Sequence, residues 1–230
     1  MLLVVKLSGE GLSGGGNKYA NDRLHLISAQ IKSLLGHGHQ IAVVIGGGNL
    51  FRGKDLAGNL GVQRTTAEYV GMLATVQNAL VLRDYFESTG IASRVLSAIS
   101  MPQICEASVP NRANEHLERG RVVIFAAGLG APYFTTDTCA VQRSLEIGAK
   151  LLIMAKNGVN GVYTADPKKD SSAQFMKELT CTEALERGLA VADAAALGLA
   201  KEQGLQIKIV AIEKLSEALL EDVGSTVIPR

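Results

Sequence analysis

The chain alternates short apolar runs, rich in Val, Ile and Leu, with longer amphipathic segments. The predicted strands are Leu2–Leu7, Ile41–Ile45, Arg94–Leu96, Val122–Ala126, Leu151–Met154 and Ile207–Val210. The predicted helices are 20–37, 64–89, 102–119, 136–147, 181–188 and 193–203. Because the strands are apolar on both faces, the alternation predicts an α/β fold, a three-layer αβα sandwich with a mostly parallel central sheet. Ligands of such a sheet bind at the carboxyl ends of its strands.

We expect one domain, 1–230, because the chain shows no internal repeat, no linker rich in Pro or Ser and no low-complexity tract. Within the helix predicted over 64–89, the segment "ATVQNALVLRDYF" is nearly free of charge before Arg83, so more than one of its faces needs to be covered. Either a partner subunit or a position deep in the core would cover it.

Charge and apolar content exclude several classes of partner. The 23 basic and 22 acidic residues give a net charge of +1, so no global field favours nucleic acid or an anionic membrane. No apolar run approaches the roughly 18 residues of a membrane span, and the opening run is too short for a secretory signal. Cys105, Cys139 and Cys181 show no CxxC or Cys/His metal spacing, so we expect reduced, buried thiols in a cytoplasmic protein.

Three glycine-containing loops follow directly after predicted strands. They are "KLSGEG" at 6–11, "GGGNLFRG" at 46–53 and "AAGLGAPYFTTDT" at 126–138. Glycine after a strand lets backbone N–H groups approach a phosphate closely, and a following helix N-terminus adds partial positive charge. Since all three loops are predicted at one edge of one sheet, they indicate an anion-binding site there.

The second loop resembles a Walker A motif, which requires G-x-x-x-x-G-K-[ST]. Gly48, Gly53 and Lys54 fit this pattern, but Asp55 stands where the Mg²⁺-binding hydroxyl should be and adds negative charge near the phosphate. We therefore predict that Lys54 is a solvated surface lysine. The useful part of the loop is 46–49 together with Arg52.

Lys6 is the best-placed cation for a transferred phosphate. It ends an otherwise apolar strand, where a lysine without a partner is costly to bury, and Ser8 and Gly9 follow as donors. The alternative is that Lys6 only marks the point where the strand reaches solvent.

The third loop ends in Thr135, Thr136 and Asp137 at the start of a predicted helix. One of the three is expected to be an N-cap, but two hydroxyls and a carboxylate exceed what a cap requires. The threonines could donate to an anion, and Asp137 could orient the Lys6 ammonium or hold a metal-bound water. Further along, Tyr163 could face an adenine ring or the core, and Asp166 before Pro167 could be a plain turn residue.

These motifs together resemble those of the amino acid kinase superfamily, and within it those of the bacterial uridylate kinases (UMP kinases). The pair formed by GGGN-x-x-RG and a later FTTD is specific, since sister kinases acting on carboxylates or carbamate lack it. The stretches that carry the likeness are "KLSGE" at Lys6, "IGGGNLFRG" at Ile45, "GMLATVQNAL" at Gly71, "SAISM" at Ser97, "PYFTTDT" at Pro132, "NGVYTADPKKD" at Asn160 and "VADAAAL" at Val191. The resemblance implies an amino acid kinase-like fold and the ATP-dependent phosphorylation of UMP to UDP in pyrimidine nucleotide biosynthesis.

The resemblance also implies roles for single residues. At the reacting centre it implies Lys6, Arg52 and Asp137, which would organise the centre beside Lys6. The residues implied for ATP are Lys6, Leu7, Ser8, Gly9, Gly48, Arg52, Asn157, Tyr163 and Asp166. The residues implied for UMP are Gly47, Glu68, Leu129, Gly130, Ala131, Pro132, Tyr133, Phe134, Thr135 and Thr136, with the phosphate facing Thr136.

Phosphoryl transfer depends on alignment and charge neutralisation more than on covalent work by side chains. No metal-binding residues are therefore expected in the chain, and Mg²⁺ would be carried with ATP. The resemblance implies ATP and UMP as partners, GTP as a candidate activator, UTP as a candidate inhibitor, and a homohexamer built from dimers.

Several positions depart from the commoner pattern of these kinases. Ala67 and Glu68 stand where Gly-Asp is usual before "xMGM", and Glu68 keeps the acceptor on a longer side chain, so the affinity for uridine is in question. Ala131 replaces a frequent Asn, and Asn160 replaces a frequent Asp. The early loop "GGGNKYAND" lacks the Phe-Gly-containing sequence often found near the GTP effector site, so it does not support GTP activation.

Two other functions compete with UMP phosphorylation. A non-catalytic nucleotide or oxyanion binding protein of the same fold would bind its ligand without turnover, and the intact Lys6 and Asp137 argue against it. A sister kinase for a small acid is disfavoured by Arg52 and the FTTD sequence.

Overall fold

The computed structural model describes residues 1–51, 61–167 and 169–230. Its strands are β1 Leu2–Leu7, β2 Gln40–Ile45, β3 Ser93–Ser97, β4 Glu106–Ala107, β5 Val122–Ala126, β6 Leu151–Lys156, β7 Val162–Tyr163, β8 Phe175–Met176, β9 Glu178–Thr180, β10 Ile207–Ala211 and β11 Ser225–Ile228. Its α-helices are α1 Asn21–Gly36, α2 Arg64–Ser88, α3 Pro110–Glu118, α4 Thr136–Glu146, α5 Cys181–Glu186 and α6 Ala194–Gln203. Short 3-10 turns occupy Gly9–Leu12 and Ile212–Glu217.

The described strands form one nine-stranded sheet in the order β4-β3-β5-β2-β1-β6-β10-β11-β9, beside a separate β7-β8 pair. Every neighbouring pair in the large sheet is parallel except β10 with β11. The carboxyl ends of β5, β2, β1 and β6 therefore lie side by side at one edge. This places the starts of the three glycine loops together, as the sequence predicts.

The sheet is covered on both faces, because successive side chains of a buried strand point to opposite sides. Leu3, Val5 and Leu7 of β1 pack in one apolar cluster with α1 and α2. Val4 belongs to a second cluster, which contains side chains of α3, α4, α5 and α6. The predicted three-layer αβα sandwich is therefore correct, and Lys6 shares its strand face with Val4.

The helix predicted over 102–119 is wrong in its first half. The observed helix α3 begins at Pro110, after Val109 with an extended backbone, and the short edge strand β4 pairs with β3 just before it. Proline disfavours helical conformation in the residue before it and is well suited to the first helical turn, so the chain can start a helix at Pro110 but not run through it.

Helix α2 is neither fully buried nor fully covered within the chain. Its core face includes two buried polar residues, Thr75 and Asn78, whereas Tyr69 and Leu73 remain 41% and 43% exposed. Tyr69 and Leu73 precede the uncharged segment, in which residues 74–82 are buried or partly buried apart from Gln77, so both alternatives stay open for that segment.

The three cysteines are unpaired thiols. Cys139 and Cys181 are buried as predicted, whereas Cys105 is only partly buried. Burial raises the pKa of Cys139 to about 11, so this thiol is unreactive near neutral pH. Among the helices of the described ranges, none combines the length and apolar character that a membrane crossing needs.

Candidate active site

Lys6 and Asp137 meet at the carboxyl edge of the sheet. The Nζ atom of Lys6 lies 2.7 Å from Oδ1 of Asp137, and the two side chains are 12% and 17% exposed. The contact is an ion pair and not a well-directed hydrogen bond, because Asp137 Oδ1 accepts none from the described residues. The ammonium is thus held by charge while its hydrogens can still reach an anionic ligand.

The first turn of α4 presents backbone N–H groups at the same point. Thr135 is the N-cap, and its hydroxyl oxygen accepts hydrogen bonds from the amides of Asp137 and Thr138 at 3.0 and 3.3 Å. A helix N-terminus carries partial positive charge, which favours the Asp137 carboxylate and an incoming phosphate alike.

Asp193, which is not among the site residues expected from sequence, links α4 to α6. Its carboxylate accepts hydrogen bonds from the hydroxyls of Thr135 and Thr138 and, as the N-cap of α6, from the amide of Ala196 at 3.0 Å. Burial would raise the pKa of Asp193, but these hydrogen bonds hold it below its ordinary value. In sequence Asp193 looks like a simple helix cap, and nothing there indicates its threonine partners.

The two threonines of the site are not equivalent. The Thr135 hydroxyl donates its hydrogen to Asp193 and accepts from the α4 amides, so in this conformation it has no hydrogen left for an anion. The Thr136 hydroxyl has no hydrogen-bond partner in the described parts of the chain. Both threonines are predicted as possible donors to a phosphate. In this structure only the Thr136 hydroxyl, of the two, has a hydrogen available to donate.

The first two glycine loops interlock. The amide of Gly46 donates to the carbonyl of Leu7 at 2.9 Å. A β-carbon at Gly9 would lie 2.5 Å from Asn49 Oδ1 and 2.7 Å from Gly48 N, distances that real side chains do not tolerate. A β-carbon at Gly47 would lie 2.8 Å from the carbonyl oxygen of Gly71 in α2. These glycines therefore fix the packing of the loops as well as leaving room for a ligand.

Two buried polar side chains of α2 hold the second and third glycine loops by hydrogen bonds. The side-chain amide of Asn78 donates to the carbonyl of Gly46 and to Oδ1 of Asn49, both at 2.7 Å. The Thr75 hydroxyl accepts from the amide of Ala127 at 2.7 Å, where the backbone φ is +60°. A left-handed alanine costs free energy, so the hydrogen bond helps to hold the start of the third loop.

One cleft lies between α2 and the third loop and is called the α2 cleft. It has a volume of about 540 Å³. The predicted UMP residues Gly130 and Pro132 do not line this cleft. Gly48, which is predicted to bind ATP, does line it. Its lining residues are Gly47, Gly48, Phe51, Arg64, Glu68, Gly71, Met72, Thr75, Gly128, Leu129, Ala131, Tyr133, Phe134, Thr135 and Thr136.

Contacts between α2 and Tyr133 join the two walls of the α2 cleft. The guanidinium carbon of Arg64 lies 5.1 Å from the centre of the Tyr133 ring, and its Nε lies 3.7 Å from Oε1 of Glu68. The hydroxyls of Thr65 and Tyr133 are 3.1 Å apart. Tyr133 has a left-handed backbone with φ of +72°, a strained conformation typical of functional loops.

A second cleft, of about 400 Å³, follows β6 and is called the β6 cleft. The predicted ATP residues Asn157, Tyr163 and Asp166 all line it, together with Lys156 at the end of β6. The Asn157 side-chain oxygen accepts from Arg23 at 3.1 Å. Tyr163 stacks edge-on against Phe175, with ring centres 5.5 Å apart, so the tyrosine faces both a packed ring and the cleft. Asp166 also belongs to a turn, since its carbonyl accepts from Lys169 and Asp170.

Some predicted residues contribute little beyond their backbone or lie outside the described ranges. The Leu7 side chain is fully buried, so only its backbone could reach a nucleotide. Ser8 precedes the 3-10 turn and its carbonyl accepts from Gly11. Arg52, Gly53, Lys54 and Asp55 lie outside the described residues, and so the roles predicted for Arg52 and Lys54 stay predictions.

Comparison with known proteins places these features in context. The amino acid kinase family model matches residues 1–211. A uridylate kinase of Mycobacterium sp. (strain KMS) is 51% identical over 207 residues, which cover 90% of this chain and 81% of the relative. A uridylate kinase of Tropheryma whipplei (strain Twist) is 51% identical over 217 residues, which cover 94% of this chain and 93% of the relative.

Solved structures agree with these relatives. The crystal structure of UMP kinase from Bacillus anthracis matches with a TM-score of 0.94 at 35% identity, covering 99% of this chain and 96% of that one. The crystal structure of uridylate kinase from Archaeoglobus fulgidus matches with a TM-score of 0.75 at 28% identity, covering 99% and 100%. The αβα sandwich is therefore shared with these solved structures.

Proposed function

The chain belongs to the amino acid kinase family, and on that premise we propose that it transfers the terminal phosphoryl group of ATP to UMP, giving ADP and UDP. The observation that carries the proposal is the position of the Lys6–Asp137 ion pair. Asp137 follows Thr136, which lines the α2 cleft, and Lys6 lies on the strand beside β6, whose end opens into the β6 cleft. Two clefts thus flank one ion pair, as a transfer between two bound nucleotides requires.

The proposed reaction is an in-line displacement. An oxygen of the UMP phosphate attacks the γ-phosphorus of ATP while the bond between that phosphorus and the bridging oxygen of ADP breaks. Lys6 neutralises the charge of the transferred group, and Asp137 holds the ammonium in place. The loop amides after β1 and β2 and the Thr136 hydroxyl position the phosphates, and Arg52 is proposed as a further cation. UMP occupies the α2 cleft, and the base and ribose of ATP occupy the β6 cleft.

Mg²⁺ is proposed to be carried with ATP. Among residues 1–51, 61–167 and 169–230, no group of three or more His, Cys, Asp or Glu side chains could hold a metal ion. Mg²⁺ keeps several waters and is commonly bound through one or two carboxylates and substrate phosphates, so a single carboxylate such as Asp137 is compatible with it. Its chemistry would be to neutralise phosphate charge.

The proposal also covers the oligomeric state of the protein and its place in the cell. The exposed Tyr69 and Leu73 on α2 are suited to burial against a second copy, and we propose that the assembly is a homohexamer built from dimers. We further propose work in the cytoplasm, consistent with three unpaired thiols, and a place in pyrimidine nucleotide biosynthesis.

Allosteric control by GTP as activator and UTP as inhibitor is also proposed. A third cleft of about 520 Å³ lies at the β4 edge of the sheet and is lined by Arg83, Arg94 and Arg112. Each arginine is ion-paired with a neighbouring carboxylate, so a nucleotide there would have to displace these pairs. Rates measured with and without GTP or UTP at fixed ATP and UMP test this control, and unchanged rates would contradict it.

The substrate is tested by measuring ADP release with a panel of acceptors. The panel contains UMP, CMP, AMP, GMP, carbamate, aspartate and glutamate, each with ATP and Mg²⁺. We expect UMP to give the highest kcat/KM. Preference for another acceptor would refute the substrate assignment, and nucleotide binding without any turnover would support the non-catalytic binding protein instead.

A further inference from the structure

We propose that Lys156 is a second phosphate-binding cation of the site, which binds the phosphates of ATP between the β6 cleft and Lys6. The proposal rests on the proposed function, because it assigns ATP to the β6 cleft. Lys156 is not among the site residues expected from sequence, although it ends an otherwise apolar strand, much as Lys6 lies one residue before the end of β1.

The register of the sheet places Lys156 near Lys6. Strands β1 and β6 are parallel neighbours, and Lys6 pairs with Met154. Met154 lies in the same apolar cluster as Val4, so Lys156, two residues further, shares the strand face of both Met154 and Lys6. That face carries α4, whose first turn supplies Asp137.

The positive charge of the Lys156 ammonium is only partly balanced by nearby negative charge. Burial lowers the pKa of Lys156, while Asp137 raises it and Lys6 lowers it, so all three groups interact electrostatically. Two ammonium groups thus share one carboxylate at this edge. The Nζ atom donates one hydrogen bond of 2.7 Å, to the carbonyl of Val191, and has no other acceptor in the described parts of the chain. A largely buried ammonium with unused hydrogens is suited to an anionic ligand.

The position of Lys156 in the β6 cleft indicates which anion it meets. It shares the cleft wall with Asn157, Tyr163 and Asp166, the residues proposed for the base and ribose of ATP. Because β6 lies directly beside β1, a nucleotide that extends from this cleft to Lys6 passes the end of β6. The phosphates of ATP would therefore lie within reach of both lysines.

A purely structural role for Lys156 would also explain its bond to Val191, so the experiment has to separate charge from anchoring. Lys156→Gln removes the charge and keeps a donor for the Val191 carbonyl, whereas Lys156→Arg keeps the charge. Lys150→Gln is the matched control, because Lys150 is exposed and directly precedes the same strand. Equilibrium binding of adenosine, AMP, ADP and ATP is measured for each protein, with UMP binding and thermal unfolding in parallel.

We expect Lys156→Gln to leave adenosine and UMP binding unchanged and to weaken ATP binding about tenfold or more, the range for a hydrogen bond to a charged group. The loss should grow from AMP to ATP, Lys156→Arg should restore most of it, and Lys150→Gln should show none. An equal loss for adenosine and ATP, or no loss for ATP, would overturn the proposal.

If Lys156→Gln does not fold, Lys156→Met gives the same comparison, since it removes the charge and keeps an apolar stem. The binding series also separates this proposal from the proposed function. A wild-type protein that binds ATP but phosphorylates no UMP would refute the function, while the ATP-to-adenosine ratio would still decide the role of Lys156.

Discussion

Lys6, the second-last residue of β1, forms an ion pair of 2.7 Å with Asp137 in the first turn of α4. The helix N-terminus stabilises the carboxylate, and the carboxylate in turn fixes the ammonium at the edge where three glycine loops meet. A lysine side chain has considerable rotational freedom, so holding it before the substrate arrives reduces the entropy lost in the reaction. The ion pair thus fixes the position of the Lys6 ammonium before the substrates bind.

Replacing this cation should separate catalysis from folding. We expect Lys6→Ala to lower kcat by about 10²–10³, as loss of one preorganised charge-stabilising group does. Near-ultraviolet circular dichroism and thermal unfolding should show an intact fold. Lys54→Ala is the control for the Walker-like interpretation and should change kcat little. A larger loss in Lys54→Ala than in Lys6→Ala would show that the rejection of a Walker loop is wrong.

The centre of the fold could be predicted from sequence and its edge could not. Strands β1 and β5 match their predicted bounds because long apolar runs bounded by glycine or charge leave little choice. The edge strand β4 is two residues long and has no periodicity to detect, and neither the opposite edge strand β9 nor its neighbour β11 is predicted. Short edge strands depend on a neighbouring strand more than on their own sequence.

The site shows the same division. Lys6 and Asp137 could be selected because a charge at the end of an apolar strand and a carboxylate beyond a cap are both locally unusual. Asp193 could not, since its threonine partners are distant in sequence and its local pattern is that of an ordinary N-cap. Asn78 could have been found, because an amide on the apolar face of an uncharged stretch of helix needs buried partners.

Thr135 and Thr136 should give opposite phenotypes. Thr136→Ala removes the hydroxyl that remains available in the α2 cleft, so we expect KM for UMP to rise about tenfold with stability unchanged. Thr135→Ala removes the α4 cap and should lower the free energy of unfolding by about 0.5–2 kcal/mol. Steady-state kinetics and urea unfolding of both variants check this. The assignment fails if Thr135→Ala raises KM for UMP more than Thr136→Ala without loss of stability.

Asn78 should matter for both stability and activity. Asn78→Ala leaves the buried carbonyl of Gly46 and the Asn49 side chain without their donor, which is expected to cost about 1–3 kcal/mol. The second glycine loop should also shift, raising KM for the nucleotides. Gln77→Ala, an exposed amide on the same helix, is the control and should be neutral. Equal effects of the two substitutions on unfolding and on KM would contradict an anchoring role.

Asp193 should contribute to the acid sensitivity of the fold. A carboxyl with a lowered pKa in the folded chain stabilises it above the unfolded pKa, and this contribution is lost as pH falls through the folded pKa. We expect wild type to be more stable than Asp193→Asn at neutral pH, with the difference shrinking below about pH 4. Unfolding by urea from pH 7 to pH 3 measures it, with exposed Glu202→Gln as control. A difference that grows on acidification would refute this assignment.

Glu68 should determine how well UMP binds, because it lines the α2 cleft and is only 29% exposed. Its carboxylate is 3.7 Å from the exposed Arg64, too loose a pair to occupy both oxygens, so it can accept hydrogen bonds from the nucleoside. We expect Glu68→Ala to raise KM for UMP about 10-fold to 100-fold and to leave KM for ATP unchanged. Glu68→Asp, which shortens the side chain, should retain most of the affinity. Glu118→Ala, on the exposed surface of α3, serves as control. Unchanged KM for UMP in Glu68→Ala would remove Glu68 from the nucleoside site, and a parallel rise in KM for ATP would indicate that the substitution disturbs both clefts.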